Sequence, residues 1–134
     1  MASSTVRILF AATLLLSACS NEAPKVFELP REITGGWQRT HPAEVPVAEA
    51  PELVRGLGVR TISRAGYAGP WEMQATVYTM GSEASAFELV QKWRPAPGEI
   101  FFQAGPRFVL ITAPGQGAPE LRRVAAALES AIGK

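Results

Sequence analysis

The chain has 134 residues, with 13 Lys and Arg against 12 acids, every acid a Glu, one His and one Cys. A balance this close to neutral gives no general electrostatic case for binding nucleic acid or anionic lipid. A lone cysteine cannot form an internal disulfide, and a chain without Asp has no Ser-His-Asp triad.

The N-terminus is organised around Leu16-Ser17-Ala18-Cys19. Arg7 is the one positive charge ahead of the apolar run Ile8 to Leu16, which falls within the roughly 7–15 residues of a secretory signal. The run meets Ser20-Asn21-Glu22 well short of the about 20 apolar residues that a spanning helix needs. Small residues precede Cys19, as a peptidase groove requires, and lipidation would account for the odd cysteine.

Residues 1–19 resemble the bacterial lipoprotein signal. The resemblance implies cleavage between Ala18 and Cys19, acylation of Cys19, and attachment to the membrane through that lipid. Two or three acyl chains anchor firmly, whereas one alone is marginal. Under the enterobacterial sorting rule, Ser20 in place of Asp implies the outer membrane, with the domain facing the periplasm. The expected organisation is a signal peptide over 1–18, a lipidated N-terminus and short tether over 19–26, and one domain over 27–134. Loss of Arg7 with the signal leaves that mature chain formally neutral, and it is long enough to bury an adequate core without disulfides.

Beyond the tether, Gly35-Gly36 supplies a turn, and Trp37 to Thr40 could start a strand. His41 to Pro51 holds three prolines with little periodicity and reads as an extended loop, followed by one helical turn over Glu52 to Arg55. Leu57 to Arg64 is a predicted strand, and Ala65 to Pro70, with two glycines and a proline, a predicted turn. Trp71 to Val77 alternates apolar and polar, the pattern of a half-buried strand, with Trp71, Met73, Ala75 and Val77 facing the core. Ser82 is placed to cap a helix from about Glu83 to Trp93, whose stripe is Ala86, Leu89, Val90 and Trp93, widened by Phe87. It stops before Pro95.

Ile100 to Gln103 and Arg107 to Thr112 form a hairpin about Ala104-Gly105-Pro106, the second strand apolar enough to lie centrally. Pro119 suits a first helical turn, and Leu121, Val124, Ala125, Leu128 and Ile132 give the C-terminal helix its stripe. The expected fold is α+β: a single small domain, an antiparallel sheet of about four to five strands with two helices on one face.

Leu29-Pro30 followed by Gly36-Trp37, a mid-chain Tyr67 among glycines, Val77-Tyr78 followed by Ala86-Phe87, and the Phe102, Gly105, Arg107 to Val109 hairpin are similar to a bacterial domain-of-unknown-function family often found behind signal peptides. The similarity spans residues 27–132, except that Arg107-Phe108 stands where an aromatic pair is expected. That family carries no assigned activity, so the similarity bears on the fold more than on the function.

His41 is the sole histidine and sits among prolines, which is poor material for zinc. No spacing singles out a catalytic glutamate pair; Glu72, Glu83 and Glu88 each suit a polar strand or helix position. Gly115-Gln116-Gly117 lacks the lysine and further glycine of a nucleotide loop. The porin-associated mode of peptidoglycan binding uses an Asp, which is missing. No enzyme, metal or cofactor is therefore expected. Trp37, Tyr67 and Trp71 near turns, with Arg60 and Arg64 on one strand face, suggest a recognition surface. The expectation is a lipid-anchored binding or assembly module with a protein partner in the envelope; the alternative is a small-ligand (acyl or glycan) carrier or an envelope enzyme.

Overall fold

A computed structural model describes residues 25–133. Six strands form one sheet: β1 Glu32–Ile33, β2 Trp37–Val45, β3 Val59–Ala68, β4 Met73–Met80, β5 Glu99–Ala104 and β6 Arg107–Thr112. Their order is β1-β2-β3-β4-β6-β5, every neighbouring pair antiparallel. Three α-helices accompany them: α1 Glu52–Gly56, α2 Glu83–Lys92 and α3 Ala118–Ile132, with a 3-10 turn over Val47–Glu49. The class is α+β, as the sequence implies, with one strand and one short helix more than the expected count.

Both faces of the sheet are covered, and the placing of both helices on one face has to be corrected. Successive side chains of a strand point to opposite faces. In β4 and β6 the odd-numbered residues Met73, Ala75, Val77, Val109 and Ile111 join Leu121, Val124, Ala125 and Leu128 of α3. The even-numbered Tyr78, Met80, Phe108 and Leu110 join Val54 of α1 and Ala86 and Leu89 of α2. Leu89 and Trp93 thus serve one core, and Val124 and Leu128 the other. The unbroken apolar run of β6 is the sequence mark of a strand buried on both sides. Helix α3 touches both β1 and β5, the two edges, so the sheet curls around it and this face is concave.

Three stretches depart from expectation. Residues Glu32–Ile33 make a strand by pairing with Gln38 and Trp37, too short to show any period. Strand β2 continues through Pro42, with its register shifting between Thr40 and Ala43 and His41 at φ +46°. Among the described residues no strand flanks β2 on its outer side past Gln38, and proline is tolerated in such an edge stretch and at a bulge. Strand β3 extends through the predicted turn to Ala68. Gly66 lies within it because a Cβ there would come within 2.7 Å of Thr40 Oγ1, beside the β2 irregularity.

Phe87 does not widen the buried stripe of α2: it is 55 % exposed, next to the buried Ala86. Several other local readings hold. Ser82 Oγ accepts from the Ser85 N–H at 3.1 Å at the start of α2, Leu121, Val124, Ala125 and Leu128 of α3 are buried, and β5 and β6 form the hairpin.

Candidate functional site

Ala18 and Cys19 lie outside the described residues. The remaining five predicted site residues are split by the fold. Trp37 opens β2 and is buried, while Trp71 is half-buried in the connection from β3 to β4. Their rings meet edge to face, centroids 4.5 Å apart and planes at 75°, a favoured aromatic geometry. Gly69 lets the chain pass beneath: a Cβ there would stand 2.8 Å from the Trp37 ring. This pair forms one wall of an open groove of about 310 Å³ that also involves Thr34, Gly35 and Pro70, with Glu120, Arg123 and Val124 from α3.

Glu120 and Arg123 supply both charge signs beside an aromatic wall, and sequence reasoning missed them. They lie on the polar margin of the α3 stripe, and only the docking of α3 brings them to residues some 50 or more positions earlier.

Tyr67 is 1 % exposed and belongs to the concave-face core. Its phenol donates to the Pro30 carbonyl at 2.6 Å. Burial pushes its pKa well above the ordinary value, against an opposing pull from Arg39. Arg39 Nη1 in turn donates to the Leu29 carbonyl at 2.7 Å and meets Glu28 Oε1 at 3.3 Å. The predicted tether therefore runs directly into a segment fastened to the sheet.

The arginines lie on the other face, away from Tyr67 and Trp71. Arg64 is half-buried and its Nε donates to Thr76 Oγ1 at 3.2 Å; Arg60 is exposed. Arg64 also moderates Tyr78, whose pKa is raised first by burial and, to a lesser degree, by Glu99. Trp93 and Phe108 flank Tyr78 and lie 5.4 Å apart between ring centroids, and Phe101 stacks on Phe108 at 5.1 Å.

His41 is exposed and shares a shallow pocket with Glu72. Among the described residues, no three His, Cys or acidic side chains are grouped to hold a metal, and no helix is long and apolar enough to cross a membrane. No family model, curated protein or solved structure matches the chain.

Proposed function

We propose that this is a lipid-anchored protein of the bacterial cell envelope, held in the outer membrane through Cys19 and facing the periplasm, that acts by binding a protein partner without turnover. Kinship with the domain-of-unknown-function family is part of the same reading. The observation that carries the binding role is the groove walled by Trp37 and Trp71 and flanked by Glu120 and Arg123. It is open, and the residues beneath it, Trp37 and Val124, are packed into the core. An open groove walled by the half-buried Trp71 over solid packing suits a partner's surface better than an enclosed acyl chain. Aromatic and arginine side chains are the usual centres of binding energy.

The anchor supports the arrangement. Phe27 lies eight residue steps from Cys19, which at full extension reach about 28 Å. The domain would thus stay near the bilayer. The test is capture of envelope proteins on the anchored protein and on Trp71→Ala and Arg123→Ala. Truncating a binding centre typically loses about 2 kcal/mol, roughly thirtyfold in affinity. Equal recovery on all three, with folding unchanged, rules out this groove.

A further inference from the structure

The concave face of the sheet carries a row of polar side chains that the fold leaves unused. Thr61 in β3 is in register with Thr79 in β4, and Thr79 with Arg107 in β6. Ser63 lies on the same face of β3, two residues along. Thr61 Oγ1, Ser63 Oγ, Thr79 Oγ1 and Arg107 Nε are all shut off from solvent, with no hydrogen-bond partner among the described residues. Thr61 and Ser63 are only 6 % and 7 % exposed. A buried donor left unpaired forfeits its hydration with nothing in return, so four on three adjacent strands point to one shared partner.

The surroundings indicate its charge. The Arg107 guanidinium lies over the Phe27 ring, 4.4 Å from the centroid. Such stacking fixes the plane of the fork and leaves its in-plane N–H groups for an acceptor. The ion pairs found among the described residues belong to Arg39 and Lys92 and leave Arg107 out. An open groove of about 220 Å³ runs between residues 26–29 and the β2–β3 pair and reaches Ser63. Of its carboxylates, Glu28 is engaged by Arg39, and Glu44, in register with Ser63, is exposed.

We infer that this row binds a phosphate group. Three hydroxyls and a guanidinium, arriving from neighbouring strands, match the several acceptor oxygens of a tetrahedral oxyanion better than the two of a carboxylate. Phe27 and the segment that Tyr67 and Arg39 fasten down form the roof. This site is separate from the Trp37–Trp71 groove and does not depend on it.

The same chemistry is offered by free phosphate and by a phospholipid headgroup. The experiment uses the full chain in nonionic detergent and follows its thermal midpoint. One arm titrates inorganic phosphate against sodium chloride of equal ionic strength; a second adds phosphatidylglycerol to the micelles. A ligand that binds only the folded chain raises the midpoint in a saturable way. Thr61→Val and Thr79→Val keep the side-chain shape and are expected to weaken that response about tenfold each, with no loss of midpoint in the absence of phosphate. Arg107→Gln is expected to abolish it. A response to the inorganic ion alone assigns a free ligand, and one to phosphatidylglycerol alone assigns a headgroup. No response in either arm, an equal response in wild type and Thr79→Val, or acetate acting as well as phosphate would overturn the inference.

Discussion

Tyr67 Oη donates to the carbonyl of Pro30 at 2.6 Å, joining the C-terminal end of β3 to the segment that enters the sheet from the N-terminal side. With Arg39 bonded to Leu29 and Leu29 buried, this contact converts what would be the end of a tether into part of the concave-face core. Tyr67→Phe keeps the ring and removes the donor. It is expected to lower stability by about 0.5–1.5 kcal/mol and to speed proteolysis ahead of β1. An unchanged denaturation midpoint and cleavage pattern would show that Leu29 alone holds the segment.

The same phenol sets a limit at alkaline pH. Burial raises the Tyr67 pKa above its ordinary value of 10.0, so the fold favours the neutral form. Below pH 10 that contribution is intact. Above it, the unfolded chain ionises first, and stability falls as pH rises towards the folded-state pKa. Tyr78 shifts the same way, chiefly by burial, with Arg64 opposing. Denaturation midpoints above about pH 10 should therefore decline in wild type and decline less in Tyr67→Phe. Parallel declines in the two proteins would exonerate Tyr67.

What the sequence shows plainly is local. Ser82 caps α2 through a bond to Ser85, three residues on, and Leu121, Val124 and Leu128 meet the core because α3 is long enough to show its period. What it hides depends on register. The polar positions of the β4 alternation suggest a solvent face, yet Thr76 is buried and bonded to Arg64 across the strand pair. The composition of Ala65 to Pro70 suits a turn; Gly66 is small because β2 presses close, which no local signal reveals. Trp37 and Trp71 come together only because of how β2 and β3 pair, and Glu120 and Arg123 arrive from the far end of the chain.

The two cores on opposite faces make a further expectation. Leu128, in α3, and Leu89, in α2, are both fully buried. Each truncation to alanine should cost about 2–5 kcal/mol, while Arg122→Ala on the exposed side of α3 should stay within about 0.5 kcal/mol. Ile62 belongs to the α1–α2 core, and Ile62→Val alone should cost about 0.5–1.5 kcal/mol. Combined with Leu128→Ala it should add within about 0.5 kcal/mol, because the two share no cluster. Strong coupling in urea denaturation would mean a single continuous core.

The proposed membrane attachment would rest on one side chain. If Cys19 carries two or three acyl chains, each buried CH₂ contributes about 0.8 kcal/mol, and the chain partitions firmly into the bilayer. Cys19→Ala removes the thioether that would hold the diacylglycerol and the site before which the peptidase cuts. The variant is expected to accumulate with its signal uncleaved, or to be released by another peptidase into the soluble fraction, and to incorporate no labelled palmitate. The domain itself should be unaffected. Its earliest core contacts among the described residues begin at Phe27 and Leu29, so the circular dichroism spectrum and thermal midpoint of a released variant should match those of the anchored protein. Normal processing of Cys19→Ala together with retention in a high-salt-washed membrane pellet would show that the lipoprotein reading is wrong.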